Sequence, residues 1–270
     1  MDIYFFAIVL LAACILVLEA IKAMSGSSGV QAKRYVDIGK SMTIGTREVQ
    51  AAGIMAVLAD GAGQAYGGRI ASKIAVETCM DIFKDYNAFN NPQYYFRKAY
   101  NCANKEILKA LGDERRGSAS VGCVLLCQGF LYYALVGNVK ICVYREENLV
   151  PVSSGHTVAV LAEQKFHEGT ISREDALTLL ENRRLYNYLG QDGFRDIEFF
   201  DTPVRLKRGD IVVLMSDGIY DLLDFKEVER ILGNGDGCQE KAFEIIELVN
   251  QNNSELKDNA SIVLLGIEDT

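Results

Sequence analysis

One stretch constrains this chain more than any other: Met55-Ala-Val-Leu-Ala-Asp60-Gly61-Ala-Gly63-Gln-Ala-Tyr-Gly67-Gly68-Arg-Ile-Ala-Ser72. Met55 to Ala59 is an unbroken apolar run of strand length, and the four glycines after it let the backbone turn sharply and approach a ligand before a helix begins. A carboxylate, Asp60, is thereby delivered to the end of a buried strand. Alone, an Asp-Gly between a strand and a helix is a common turn. Two later stretches repeat the arrangement. Ile211-Val-Val-Leu-Met215 runs into Ser216-Asp217-Gly218, and Asp258-Asn259 directly precedes the apolar run Ala260 to Ile267. Three carboxylates at the edges of three buried strands point to a hard divalent cation, because Mg²⁺ and Mn²⁺ prefer oxygen ligands.

The chain has 270 residues, enough for a membrane segment and one domain of about 240 residues with a sizeable core. Ile3 to Leu18 is uninterruptedly apolar, and its continuation to Met24, broken only by Glu19 and Lys22, has the length that spans a bilayer as a helix. A cleaved signal peptide is disfavoured, since the head carries Asp2 and no Lys or Arg. The expected organisation is a transmembrane anchor over 1–24, a Ser/Gly linker over 25–29 and a single domain over 30–270. Lys22, Lys33 and Arg34 on the C-terminal flank place that domain on the cytoplasmic side of the membrane. With 28 Lys+Arg against 36 Asp+Glu, a net charge of −8 and no basic stripe, the composition excludes nucleic acid as an expected partner. The seven cysteines show no paired metal spacing and read as buried thiols in a reducing compartment.

Periodicity supplies the remaining elements. Gln31 to Gln50 reads as strands broken at Gly39 and Gly45. A helix is expected from the glycines to about Tyr86, with Ala71, Ala75, Cys79, Ile82 and Tyr86 on one stripe, and a second from Pro92 to Leu111 burying Phe96, Ala99, Ala103, Ile107 and Leu111. Ser118 to Cys127, Phe130 to Val136 and Lys140 to Arg145 are β-rich runs separated by Gln128-Gly129 and Gly137-Asn138, which predicts two hairpins. His156 to Arg195 is more polar and reads as a flap, helical over Ser172 to Leu180 with Ser172 as its cap. Phe225 to Leu232 and Glu240 to Asn250 are expected helices. Ala260 to Ile267 is apolar on both faces, which implies a sheet covered on both sides.

In this order the motifs resemble the metal-dependent PPM, or protein phosphatase 2C, family over roughly residues 30–268. The resemblance rests on D-G-x-G at Asp60 with Ala71-Ser72 after it, Gly117-Ser-Ala-Ser-Val121, Ala134-Leu-Val-Gly-Asn138 and His156. It continues through the flap phrase Glu168 to Ala176, Tyr188-Leu189-Gly190, Gly209-Asp210, Ser216-Asp217-Gly218 and Asp258-Asn259-Ala-Ser261. It implies an α+β fold, a four-layer αββα sandwich of two antiparallel sheets flanked by helices, here with an N-terminal transmembrane helix. It also implies hydrolysis of phosphoserine or phosphothreonine in proteins at a site holding Mn²⁺ or Mg²⁺. Carried over by position, Asp60 would bridge two metals, the Gly61 carbonyl would serve the second, and Asp217 and Asp258 would hold the first. Arg47 would bind phosphate, and no organic cofactor is implied.

Several positions depart from that family pattern. Where it has an acidic pair after the arginine, this chain has Ala51-Ala52, so one cation is expected and the second lacks its acid. Glu48 is the nearest substitute. Asn138 replaces a common aspartate, Gly155 another, and Ala62 stands where some members carry a histidine. His156 and His167, the two histidines, read as structural. Two functions are consistent with these residues: a membrane-anchored metal-dependent protein serine/threonine phosphatase of reduced activity, or a pseudophosphatase that binds a phosphoprotein or a membrane partner without chemistry.

Overall fold

The computed structural model of the protein describes residues 30–36, 42–49, 53–63, 66–84, 90–112, 116–194, 196–252 and 258–268. The expected anchor over 1–24, the linker over 25–29 and the Ala51-Ala52 pair lie outside them. Among the described residues no helix is long and apolar enough to cross a membrane.

Eleven described strands form two antiparallel sheets. One contains, in spatial order, β1 (Val30–Val36), β11 (Ser261–Ile267), β10 (Ile211–Met215), β6 (Lys140–Arg145) and β7 (Asn148–Pro151). The other runs β2 (Met42–Val49), β3 (Gly53–Gly63), β4 (Gly117–Cys127), β5 (Phe130–Val136) and β8 (Glu198–Phe199), with β9 (Val204–Arg205) also pairing with β5. Helices α1 (Gly67–Ile82) and α2 (Pro92–Leu111) pack on the second sheet, and α7 (Cys238–Gln251) packs on β1 and β11. The remaining helices are α3 (Val158–His167), α4 (Arg173–Leu179), α5 (Asp217–Tyr220) and α6 (Phe225–Leu232).

Side-chain alternation builds the layers. In β10, Val212 and Leu214 enter the core shared by the two sheets, whereas Ile211, Val213 and Met215 enter the core beneath α5, α6 and α7. In β11, Val263 and Leu265 face one way and Ile262 and Leu264 the other. Successive strand residues point to opposite faces, so a run that is apolar at every position can only be satisfied between two covers. Each such side chain removed from water contributes about 1.5–3 kcal/mol. The both-faces reading of the last strand therefore holds.

The helices follow their expected stripes with small changes at the ends. In α2, Phe96, Ala99, Ala103, Ile107 and Leu111 are all buried, Pro92 occupies the first turn, and the Asn91 side chain accepts from the Tyr94 amide at 3.3 Å. The fully buried Tyr100 ring carries its hydroxyl to the carbonyls of Val121, 3.0 Å, and Ala134, 2.7 Å, tying α2 to β4 and β5. α1 buries Ala71, Ala75 and Cys79 but ends at Ile82, short of Tyr86. In the flap, the Ser172 hydroxyl caps α4 by accepting from the Asp175 amide at 3.1 Å.

Two turn expectations are corrected. Gly45 lies inside β2 and breaks nothing. Gln128-Gly129 closes the β4–β5 hairpin as expected, but Gly137-Asn138 closes none. β5 pairs with β4, β8 and β9, whereas β6 pairs with β10 and β7, so Gly137-Asn138 is where the chain crosses from one sheet to the other. A short glycine-containing link reads alike in sequence for a hairpin and for a crossover, because both demand a sharp turn between apolar runs.

Candidate functional site

The crossover and the two Asp-Gly turns meet at one end of the sandwich. β3 carries Asp60 to its C-terminal part, opposite Ser120 of β4. β10 ends at Met215 and delivers Asp217 as the first residue of α5. Asp258 precedes β11, and its Oδ1 accepts from the Asn259 amide at 2.7 Å.

The glycine of each Asp-Gly pair, or one just after it, permits the close approach. A Cβ on Gly68 would lie 2.6 Å from the Gly61 carbonyl oxygen, so only glycine lets the start of α1 settle on the Asp60-Gly61 backbone. A Cβ on Gly218 would fall well inside contact distance of the Asn259 carbonyl. That contact brings the Asp217 and Asp258 turns together. Ser216 reinforces it: its amide donates to the Ser261 carbonyl at 3.1 Å and its hydroxyl accepts from the Ser261 amide at 3.1 Å.

The electrostatics of the cluster follow from that convergence. The Asp60 carboxyl is held well above the usual carboxylate range, first by burial, then by the charge of Asp217 and its side-chain hydrogen bond to Asp60, and then by the charge of Asp258. Asp217 Oδ1 is buried without a hydrogen-bond partner. Its other oxygen, Oδ2, accepts from Asn138 Nδ2 at 2.9 Å. Asn138 is itself fixed on two sides: its Oδ1 accepts from the Ser120 hydroxyl at 2.7 Å, and its backbone carbonyl accepts from the Tyr220 hydroxyl at 2.7 Å.

His156 supports this arrangement from behind. Its backbone amide donates to the Gly137 carbonyl at 2.7 Å, and its Nδ1 accepts from the Gly137 amide at 3.1 Å. Burial pushes the imidazole down to about 4, against the opposing charge of Asp196. The neighbouring Ser154 and Gly155 amides both donate to the Glu198 carboxylate, at 2.7 and 2.8 Å. His156 is thus structural, as its sequence context suggested, and His167 is exposed on the flap.

Arg47 is not brought to this cluster. In the β2–β3 ladder Arg47 pairs with Met55 and Glu48 with Ile54, whereas the residue across from Asp60 is Met42. Five residue steps separate Arg47 from the Asp60 level, roughly 17 Å at strand rise. The sequence placed Arg47 beside the three aspartates, and the register sets it, with Glu48, the only acid in β2, toward the opposite end of the strands.

Comparison with known proteins decides the family. The model of the protein phosphatase 2C family matches residues 43–236, well over half of the chain. The chain belongs to the protein phosphatase 2C family. A serine/threonine phosphatase of Listeria monocytogenes is 27% identical over 216 residues, which is 77% of this chain and 82% of its own length. Protein phosphatase PhpP of Streptococcus pneumoniae is 25% identical over 219 residues, 80% and 86% of the two chains. Among solved structures, the S. agalactiae serine/threonine phosphatase superimposes with a TM-score of 0.77 at 20% identity, covering 89% of this chain and 100% of that one. The catalytic domain of the phosphatase PstP, in complex with two manganese ions, gives 0.63 at 18% identity, covering 90% and 98%. These structures share the two-sheet fold of this 2C-family domain.

The donor set of this 2C-family domain fits a divalent cation. Carboxylates that repel one another, one with a buried oxygen lacking any donor, are stabilised by a positive charge between them. Among the described residues, no group of three or more acid, histidine or cysteine side chains is placed so as to hold a metal ion without rearrangement. A cation held here would therefore complete its shell with water, as Mg²⁺ does readily.

Proposed function

We propose that this protein is a membrane-anchored, Mn²⁺- or Mg²⁺-dependent phosphatase of low turnover, acting on phosphoserine and phosphothreonine in cytoplasmic proteins. The observation that carries the reading is the convergence of Asp60, Asp217 and Asp258, with Asp217 Oδ1 buried and without a hydrogen-bond partner. A divalent cation in such a site supplies a lowered water pKa and neutralises charge on the transferred phosphoryl group. Asp60, Asp217 and Asp258 would hold one cation, and the Gly61 carbonyl is the remaining backbone donor the family pattern assigns. Asn138 and Ser120 orient Asp217, and the glycine contacts keep the two turns in register.

A specific observation favours the second reading, a phosphoprotein-binding pseudophosphatase. β2 pairs Arg47 with Met55 and Glu48 with Ile54, so neither is level with Asp60, where a second cation and the phosphate would be held. Full-length protein in detergent, assayed with phosphoserine and phosphothreonine peptides across Mn²⁺ concentrations, separates the two. Cation-dependent release of phosphate, lost in Asp217→Asn, supports the enzyme; saturable phosphopeptide binding without release supports the binding module.

The topology also supports an orientation for the anchored domain. Val30 begins β1 opposite Ile267, and Val36 ends it opposite Ser261, beside the turn that carries Asp258. Six steps of strand, about 20 Å, separate the point where the chain enters the domain from the end bearing the aspartates. The five linker residues, 25–29, reach at most about 17 Å. The cluster would then face away from the bilayer, toward proteins in the aqueous phase. Quenching by nitroxide lipids of a fluorescent residue at position 208, against one at position 69, tests this: stronger quenching at 69 contradicts it.

A further inference from the structure

The two outer layers of the sandwich carry opposite charge. On the second sheet, α2 has the bases Arg97, Lys98, Lys105 and Lys109 against one acid, Glu106, which lies 3.9 Å from Lys109. On the first sheet, α7 has Glu240, Glu244 and Glu247 against one base, Lys241, which is buried; Glu244 lies 3.8 Å from Arg230. The neighbouring helices α1 and α6 each hold two bases and two acids, and so leave both balances unchanged. In a chain of net charge −8 a basic helix face stands apart from the rest. The spacing also matches. Lys98 and Lys105 are exposed seven residues apart, two helical turns or about 10.5 Å, and Glu240 and Glu247 reach the surface at the same interval. Tyr94, one turn before Lys98, and Phe243, one turn after Glu240, are exposed aromatics of the kind enriched in protein interfaces.

Both helices rise from the end where β1 begins to the end that holds the aspartates. α7 starts with Cys238 against Gly266, which pairs with Gln31 and Ile211, and at its far end Asn252 Nδ2 donates to the Leu222 carbonyl, just beyond α5. In the later part of α2, Asn104 accepts from the Gly190 amide at 2.6 Å, and Gly190 packs on Gly117, the partner of Gly63. We propose that the α2 face is a docking surface for the α7 face of a second copy of this chain, so that copies stack by translation across the sandwich. Translation sets two helices that rise the same way against each other, with bases opposite acids at equal spacing. The two faces differ, so the contact is heterologous: each copy leaves one α2 face and one α7 face open, and the assembly grows as a row instead of closing as a dimer. An anionic bilayer would match α2 alone, whereas a second copy accounts for the acidic α7 face as well. A row keeps every Val30 on one side, which is compatible with anchoring, but the contact needs neither an anchor nor a cation.

The test is sedimentation of the full-length protein in a neutral detergent over a range of protein concentrations. Salt is set at about 0.1 M and about 1 M, between which the Debye length falls from about 10 Å to about 3 Å. At the lower salt the parent is expected to grow with concentration beyond two copies, and at the higher salt to sediment as one chain. Lys98→Glu with Lys105→Glu, and separately Glu240→Lys with Glu247→Lys, are each expected to weaken association roughly tenfold or more, since they set like charges against each other. Mixing the two variants, or placing all four changes in one chain, is expected to restore it, a rescue that a variant damaged in its fold would not give. A parent that stays a single chain at both salts overturns the proposal, as does association that salt leaves unchanged or that stops at two copies. Loss in the single-face variants without rescue by mixing also overturns it. So does salt-sensitive binding of the parent to phosphatidylglycerol vesicles, lost in the Lys98→Glu, Lys105→Glu variant, where the chains do not associate; the occupant of α2 is then a bilayer. Phosphate release and Mn²⁺ binding are independent of every one of these results.

Discussion

His156 gives this domain a pH dependence whose size can be worked from its surroundings. The imidazole is 6% exposed, accepts the Gly137 amide on Nδ1, and burial brings it down to about 4. In the unfolded chain it titrates near 6.5, so between those values the unfolded state binds a proton that the native state refuses, and stability rises with pH. The contribution is complete above 6.5 and is lost as pH falls toward 4. Between pH 7.5 and pH 5 the loss is about 2 kcal/mol, from the ratio of the two protonation polynomials. Asp60 works in the opposite direction, since a raised carboxyl favours the fold while protonated and loses that contribution as pH rises. A difference between two variants removes this term. His156→Asn keeps an acceptor near the Nδ1 position and cannot titrate. Urea unfolding of the domain freed of residues 1–24, followed by circular dichroism in EDTA, should show the parent losing about 2 kcal/mol more than His156→Asn from pH 7.5 to pH 5. That is a relative midpoint shift of about 1 M. Parallel loss in the two proteins would mean that the native imidazole takes up its proton at an ordinary pH, and the argument from burial would fail.

Three further outcomes follow from the site. Mn²⁺ should raise the melting temperature more at pH 7.5 than at pH 5, because protons compete for a carboxyl held above its usual range, and Asp60→Asn with Asp217→Asn should abolish the rise while stabilising the metal-free protein. Met42→Glu should strengthen Mn²⁺ binding and Ala51→Glu should not, since cross-strand partners share a face and position 42 is the one paired with Asp60; titration of both variants decides. Gly218→Ala should cost about 1–3 kcal/mol in urea unfolding and weaken Mn²⁺ binding with it, because the added methyl displaces Asn259 and separates the turns of Asp217 and Asp258.

The parts of the fold that could be read from the chain are those fixed by local periodicity. The α2 boundaries Pro92 and Leu111 came directly from a stripe and a proline, and the two-sided burial of β11 from a run with no polar position. What could not be read is which strand a short link leads to. Val136 and Lys140 flank the same kind of glycine turn as Cys127 and Phe130, yet one link stays in its sheet and the other leaves it. The choice is made by partners far along the chain, β10 for β6 and β4 for β5, and no window around residue 137 contains them.

The same distinction explains the site. Asp60, Asp217 and Asp258 each ended or preceded an apolar run, so their common edge was visible before any pairing was known. Arg47 was assigned from its spacing to a motif whose acids are absent, and spacing along a chain fixes a position in space only if the intervening loop keeps its length. Here the register pairs Val49 with Gly53, and by count Met42 with Asp60. The signal that would have corrected Arg47 was thus the short spacing from Val49 to Gly53 rather than the motif. Asn138 escaped for a different reason. Its role depends on Ser120 from β4 and Asp217 from α5, which sequence places 18 residues before it and 79 after it. An amide in place of a carboxylate reads in sequence as a loss of charge; with a carboxylate on one side and a hydroxyl on the other, it is a donor and an acceptor fixed in one orientation.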